Sequence, residues 1–208
     1  MKNFKYLLLV LLITQSCSTL KNSQTSQVDV PPVLSPTATP SSVPSAMGGV
    51  TFAPDEYYTT KSERDLIAKA AKKMNEVVHS DCYFNFMSHR KFIQVDGKTS
   101  LQVATEFKNA SGTIPVQFYY SRWTSAIAYR QPPGNTIYLN RKFIGAGSDI
   151  CDVAGTLAHE SIGHSLLNYD HDYKWSASRE YSAPYSSDAA FANEPYSGTN
   201  VGKCCHEN

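Results

Sequence analysis

The sequence has little net charge, no long hydrophobic run and no C-x-x-C pair of cysteines. Its 19 basic and 18 acidic side chains leave a formal charge of +1. That balance gives no strong attraction to nucleic acid, so we expect no nucleic-acid partner. The longest apolar run, residues 7–13, is too short to cross a bilayer, which needs about 20 residues in a helix. The missing C-x-x-C spacing argues against a metal site built from cysteine thiolates.

The N-terminus has the pattern of an export signal. Two lysines precede the apolar run, and the small residue Ser16 stands before Cys17. A basic start, a short apolar stretch and a small residue at the cut describe a secretory signal. The Ser16–Cys17 pair resembles a bacterial lipobox, although Thr14 stands where an aliphatic residue is usual. We expect residues 1–16 to be a signal peptide and Cys17 to carry lipid, in the bacterial periplasm or at the outer membrane or cell surface. Ordinary cleavage nearby, which would release a soluble protein, is the alternative.

The next segment, residues 17–50, has the composition of a linker. Ser, Thr and Pro make up 16 of the 33 residues from 18 to 50. Such a stretch cannot bury enough apolar area to offset the entropy lost on ordering. Its repeated prolines favour a semi-extended spacer. We therefore expect the folded domain to span residues 51–208. We also expect this domain to be a monomer.

Four cysteines remain in the predicted domain, and an even number suits paired disulfides. They are Cys82, Cys151, Cys204 and Cys205. Two disulfides are expected in the oxidising compartment that an export signal implies. Adjacent cysteines rarely pair with each other, because that geometry is strained. We expect Cys204 and Cys205 each to reach one of the other two, which would attach the C-terminal tail to the core.

Hydrophobic periodicity predicts an α+β domain. Thr60 and Glu63 form a capping-box pattern before an apolar series at helical spacing. Alternating apolar residues and a Gln-Pro-Pro-Gly-Asn loop indicate strands and a hairpin. The predicted elements are a helix at 62–79, a short helix at 100–107, a strand at 114–120, and a hairpin of 123–130 with 136–140. An active-site helix and an irregular, disulfide-stapled tail follow a small mixed or antiparallel sheet.

Residues 148–173 contain the candidate metal-binding side chains. They read S-D-I-C-D-V-A-G-T-L-A-H-E-S-I-G-H-S-L-L-N-Y-D-H-D-Y, with apolar residues at helical spacing. His159, Glu160 and His164 lie within the predicted helix, and His171 follows it. Two histidines on one face of a helix can hold a zinc ion, and a glutamate next to the first can take a proton from water. This segment is therefore the candidate metal site.

The spacing of the two helical histidines differs from the usual H-E-x-x-H pattern. Residues i and i+4 lie about 40° apart around an α-helix, whereas residues i and i+5, here His159 and His164, lie about 140° apart. Both can bind one ion only if the helix carries a π-bulge, a feature often found at functional sites. Gly163, directly before His164, would ease that distortion.

The segment resembles the active site of the zincin metallopeptidases. Removing one residue between Glu160 and His164, and one of the two leucines that follow, yields H-E-x-x-H-x-x-N-x-x-H. That is similar to the extended zinc motif of the metzincins, with Asn168 at the position of their turn glycine. A six-residue H-E-x-x-G-H motif also occurs in the dipeptidyl-peptidase III family. The resemblance implies zinc on His159, His164 and His171, with Glu160 as the general base.

A second resemblance covers residues 123–185. Stretches such as A-I-A-Y-R, Y-D-H-D-Y and S-A-P-Y are similar to those of small bacterial exported zincin-like proteins. In such proteins a tyrosine follows the third ligand, which implies that Tyr185 binds the metal or donates to the oxyanion of a tetrahedral intermediate. Asp170 or Asp172, on either side of His171, remains an alternative third ligand or a partner that orients a histidine.

Together these features predict an exported, lipid-anchored zinc metallopeptidase with an α+β, zincin-like domain. Its expected partners are a peptide or protein substrate and the membrane that holds its lipid. The alternative is a catalytically degenerate zincin-fold lipoprotein that serves as a binding or envelope protein. That alternative applies if the extra residue turns His159 and His164 apart.

Overall fold

The computed structural model describes residues 49–171, 181–193 and 202–206. All of them belong to one unit, Thr39–Asn208. The predicted signal peptide, Cys17 and the linker up to residue 48 lie outside the described residues. Within the described ranges, no helix combines the length and the apolar composition needed to cross a bilayer.

The described part of the chain contains five α-helices, one π-helix and four strands. In chain order they are β1 (Val50–Pro54), α1 (Lys61–Val78), α2 (Asp81–Ser88), α3 (Ser100–Asn109), β2 (Gly112–Tyr119), β3 (Ala128–Arg130), β4 (Ile137–Asn140), α4 (Ile150–Leu157), the π-helix (Ala158–Leu166) and α5 (Ala183–Phe191). The sequence predicts α1, α3, β2 and β4 to within two residues at each end. The strand predicted over 123–130 is confined to its last three residues.

The four strands form one mixed sheet in the order β1-β2-β4-β3. Strand β2 pairs in parallel with both β1 and β4, whereas β3 runs antiparallel to β4 and ends the sheet. Ile114, Val116 and Phe118 alternate along β2 and are buried, as strand periodicity requires. The mixed α/β architecture and the hairpin between β3 and β4 agree with the sequence analysis.

Helix α1 covers the buried side of this sheet. It begins at the predicted capping box, in which Thr60 Oγ1 accepts from Glu63 N while the Glu63 carboxylate accepts from Thr60 N. Its apolar stripe, which includes Ile67, Ala70 and Met74, is fully buried. This stripe packs against α4 and β1. The hydrophobic core therefore lies between the helices and one face of the sheet.

Three elements were not predicted from the sequence. Strand β1 follows directly on the Ser/Thr/Pro-rich segment, and α2 is only eight residues long. The prediction of an irregular tail after the active-site helix is wrong for residues 183–191, which form α5. Pro184 in its first turn is compatible with a helix start, but the sequence A-P-Y-S-S-D-A-A-F has too weak a helical pattern to indicate one.

Two disulfides attach the C-terminal segment to the helices, as the cysteine count predicts. Cys82 on α2 pairs with Cys204, and Cys151 on α4 pairs with Cys205. The bridges span 122 and 54 residues of sequence. In the chain-entropy description, crosslinks over such distances stabilise the fold by restricting the unfolded chain.

An ion pair joins the start of α1 to the end of the sheet. Arg141 Nε donates to Glu63 Oε1 at 2.7 Å, and Arg141 Nη2 donates to Glu63 Oε2 at 3.2 Å. Burial would raise the pKa of Glu63, but the hydrogen bonds from Arg141 and Thr60 outweigh it and hold the pKa below its usual value. The charged form of Glu63 is therefore the one that stabilises the fold.

We expect Glu63→Gln to lower the free energy of unfolding by about 1–2 kcal/mol near pH 7, because glutamine keeps the cap but loses the charged pair with Arg141. A lowered pKa adds stability above the unfolded-state value, and this contribution is lost as the pH falls through the folded-state value. The gap between the two proteins should therefore narrow towards pH 3. Urea unfolding of both proteins at pH 7 and at pH 3 measures the difference in their free energies of unfolding.

Glu76→Gln is the matched control for this experiment, since Glu76 is half exposed and lies 3.8 Å from its lysine partners. It should change stability little at either pH. A gap between wild type and Glu63→Gln that stays the same at both pH values would contradict the linkage.

Candidate metal centre

The helix that carries the histidine motif changes from α to π geometry at Ala158. Leu167 N donates to Ile162 O at 3.0 Å, which is a bond between residues five apart. In such a helix, residues at i and i+5 lie on the same side. His159 Nε2 and His164 Nε2 are accordingly only 3.2 Å apart. The π-helix thus removes the one-residue mismatch in the sequence motif.

Gly163 lets α5 lie directly on the π-helix. A Cβ built at Gly163 would come within 2.9 Å of Pro184 Cβ and 3.1 Å of Pro184 Cα. Any larger residue would therefore push α5 away. The close approach places Tyr185, the residue after that proline, beside the histidines.

The third histidine and the tyrosine complete the cluster. The ring centroid of His171 lies 5.4 Å from the ring centroid of His159 and 4.8 Å from that of His164. The Tyr185 ring lies 4.6 Å from His159 and 4.7 Å from His171. One nitrogen from each histidine lies within 4.8 Å of the corresponding nitrogens of the other two. The structure therefore brings together the three histidines and Tyr185, which are four of the five residues that the sequence placed in the site.

The turn after the π-helix orients His164. Asn168 has a φ of 53°, the left-handed conformation expected for it from the sequence. The chain then turns back, so that the carbonyl oxygen of Tyr169 lies 2.7 Å from His164 Nδ1. A carbonyl only accepts, so Nδ1 carries the proton. Burial lowers the pKa of His164 to about 4, which leaves the ring neutral with the Nε2 lone pair facing His159.

Tyr169 is itself fixed by contacts with α3 and the loop before it. Its ring stacks on Phe107 at 6.1 Å, and its hydroxyl donates to the carboxylate of Glu106. Lys98 Nζ donates to the same carboxylate at 2.9 Å and to the Tyr169 hydroxyl at 3.2 Å. This anchor holds the carbonyl that orients His164. Nothing in the spacing of these residues along the sequence predicted it.

Arg130 on the edge strand β3 holds the other side of the turn. Its Nη1 donates to the carbonyl of His164 at 2.7 Å and approaches Asn168 Oδ1 at 3.4 Å. The π-helix is therefore attached to the sheet at the residue that carries the second imidazole. The sequence analysis placed Arg130 in the hairpin but gave it no role.

Glu160 is buried next to the first histidine. Burial and the negative charge of Asp188 raise the pKa of Glu160 to about 7, while Arg130 opposes the shift. Burial also raises the pKa of Asp188 to about 7, with a contribution from Asp152. The Asp188 carboxylate lies against α4, where a Cβ at Gly155 would come within 2.5 Å of its Oδ1. Asp188 is thus a second, partly buried carboxylate that acts on Glu160, and the sequence analysis missed it.

The cluster fits a zinc ion. Two nitrogens bound to zinc at about 2.0–2.1 Å in tetrahedral geometry lie about 3.3–3.4 Å apart, close to the 3.2 Å between His159 Nε2 and His164 Nε2. Imidazole nitrogens suit zinc as well as copper, iron and nickel.

The other candidate ligands do not form a comparable site in the described residues. Asp149, Cys151 and His206 also lie close together, but the Cys151 sulfur is in a disulfide and the Asp149 carboxylate caps α4. Asp170 is exposed, and its carboxylate accepts from His171 N. Asp172 lies outside the described residues.

Comparison of the chain with protein-family models, with curated proteins and with solved structures found no match in any of the three. The chemistry of the site therefore rests on the residues described above.

We expect Tyr169→Phe to weaken the affinity for divalent zinc about tenfold, because it keeps the ring stack but releases the anchor of the carbonyl that orients His164. Glu106→Gln should act in the same direction. Competition with a chelator, on protein shown to be folded by circular dichroism, measures the affinity. Glu76→Gln is the control, since it removes a carboxylate from a remote lysine pair. If the wild type and all three variants bound zinc with equal affinity, Tyr169 and Glu106 would have no role in positioning His164.

Proposed function

We propose that this chain is an exported zinc metallopeptidase that hydrolyses peptide bonds. The observation that carries the proposal is the convergence of His159, His164 and His171 on one point, with Glu160 buried beside them. The H-E-x-x-x-H sequence and its resemblance to the zincins support the same conclusion. The proposal includes a zincin-like fold, lipid attachment at Cys17, and a location in the periplasm or at the outer membrane or cell surface.

His159, His164 and His171 would hold the ion. Zinc supplies Lewis acidity towards a water molecule and the scissile carbonyl when it is bound. Glu160 follows the first ligand directly and takes the proton from the attacking water. Tyr185 is in ring contact with His159 and His171 and donates its hydroxyl proton in a hydrogen bond to the developing oxyanion. Its proposed role is stabilising charge rather than binding metal.

The edge strand offers a place for an extended substrate. Strand β3 is the last strand of the sheet in the described part of the chain, and a peptide in extended form would pair with it by β-addition. Arg130, at the end of β3, also contacts the second histidine through its carbonyl. A peptide added along β3 would therefore run past the metal centre, which suits cleavage within a chain.

The degenerate binding protein is the weaker candidate. It was motivated by the extra residue, which in a regular helix would turn His159 and His164 to different sides. The two Nε2 atoms instead lie 3.2 Å apart because the helix is π at this point. That geometry favours a site able to bind metal over a site that the extra residue has broken.

We expect the purified oxidised chain to hold about one zinc ion after dialysis against trace zinc, because three imidazole nitrogens can replace the ion's water ligands. His159→Ala should lose it. His89→Ala is the matched control, since His89 is exposed and its Nδ1 lies 2.7 Å from the carbonyl of Asn85 in its own helix. Elemental analysis measures the metal. A folded wild-type protein without zinc would exclude the zinc site.

We expect Glu160→Gln to lower peptidase turnover by about 10²–10⁴-fold, because it removes the proton acceptor. Zinc content should be unchanged, because Glu160 is not a ligand in this proposal. A screen with quenched fluorescent peptides measures turnover, with Glu76→Gln as the control. Undiminished activity in Glu160→Gln would refute the role assigned to that residue.

A further inference from the structure

Two loops at one end of the sheet expose large aromatic side chains. Strands β2 and β4 are parallel, and Tyr119 pairs with Asn140, so the segments that follow them leave the sheet side by side. Tyr120 and Trp123 follow β2 and are 66% and 84% exposed, and Phe143 follows β4 and is 40% exposed. We call these three residues the aromatic patch. Exposed aromatic residues of this size are typical of an interaction surface.

Two cations connect the loop that carries Trp123 to the loop that carries Phe143. The Arg122 guanidinium lies 4.5 Å from the Trp123 ring, and Lys142 Nζ lies 4.7 Å from the Phe143 ring. Lys142 Nζ also donates to the carbonyl of Arg122 at 3.4 Å, which connects the two loops. The patch therefore combines aromatic rings with positive charge at their edges.

The sequence around the patch has charge of one sign only. Residues 107–148 contain five basic residues and no Asp or Glu. The basic residues are Lys108, Arg122, Arg130, Arg141 and Lys142. The whole chain has a formal charge of +1, so the residues outside 107–148 together carry a net negative charge. Arg141 is engaged by Glu63 and Arg130 by the π-helix, so Arg122 and Lys142 are the cations that flank the patch.

We propose that the aromatic patch docks on an anionic lipid surface. Tryptophan and tyrosine place their amphipathic rings at the level of lipid headgroups, where Arg122 and Lys142 would meet phosphate oxygens. Each basic residue near such a surface strengthens binding about fivefold. The contact is weak by itself, but the proposed lipid tether at Cys17 would keep the patch at a high effective concentration near the same membrane. This inference is independent of zinc and of peptide hydrolysis.

The proposed orientation leaves the metal centre accessible. The patch lies at the end of β4 where Asn140 stands, whereas the contacts with the π-helix lie at its other end. There Arg130, the partner of Ile137, donates to His164 O, and Ser165 Oγ approaches Asn135 O at 3.4 Å. A domain docked through Trp123 would therefore present the Arg130 end of β3, and the π-helix that contacts it, away from the lipid.

The test uses Trp123 as its own reporter. The chain has two tryptophans, so Trp175→Phe leaves Trp123 as the only indole, and Cys17→Ser prevents lipid attachment. This full chain is mixed with vesicles of phosphatidylcholine, with and without phosphatidylglycerol. We expect a blue shift of Trp123 emission, and quenching by brominated lipid, only with the anionic vesicles. Added salt should reverse both effects.

Two charge variants in the same background make the test specific. Arg122→Gln/Lys142→Gln should weaken vesicle binding about 25-fold, at about fivefold per cation. Lys69→Gln/Lys72→Gln removes the same charge from exposed positions on α1 and should leave binding nearly unchanged. Unshifted Trp123 emission on anionic vesicles, an equal shift on neutral vesicles, or equal losses in the two double variants would each overturn the proposal.

Discussion

The approach of two imidazole nitrogens to 3.2 Å, from residues five apart in sequence, is the constraint on which the rest of the site depends. An α-helix turns such residues to different sides, so the helix must widen to π geometry between Ala158 and Leu166. Widening requires room, which Gly163 provides where Pro184 packs on it. It also requires a sharp exit, which Asn168 provides with its positive φ. The extra residue between Glu160 and His164 is therefore accommodated by Gly163 before the second histidine and by Asn168 after it.

Three separate parts of the fold stabilise this geometry. Helix α3 fixes the Tyr169 carbonyl through Glu106, strand β3 fixes the His164 carbonyl through Arg130, and α5 packs on the π-helix. Each contact comes from an element with its own place in the core, so the fold itself orients the His164 imidazole. In metal sites, hydrogen bonds to the groups behind a ligand orient that ligand and tune its affinity.

The site was easier to predict from the sequence than its supports. Residue types and order along one segment indicate His159, His164 and His171, and the need for a π-bulge follows from helical geometry alone. The anchor by Glu106 and the approach of α5 depend on tertiary packing, which leaves no periodic signal in a sequence. The same applies to the fold: capped, strongly periodic α1 is predictable, whereas α5, with proline and three serines at or near its start, is not.

The two disulfides of the adjacent cysteines near the C-terminus bear on how firmly α5 is held. The segment 202–206 lies along α5, since Gly202 N donates to Ala189 O and Cys204 N donates to Ala190 O. Its covalent ties to α2 and α4 form only where thiols can be oxidised. Until then, α5 and its Tyr185 are held by noncovalent contacts alone. Oxidation would therefore add covalent links between the segment that lies along α5 and the helices α2 and α4, and so fasten the side of the fold that carries Tyr185.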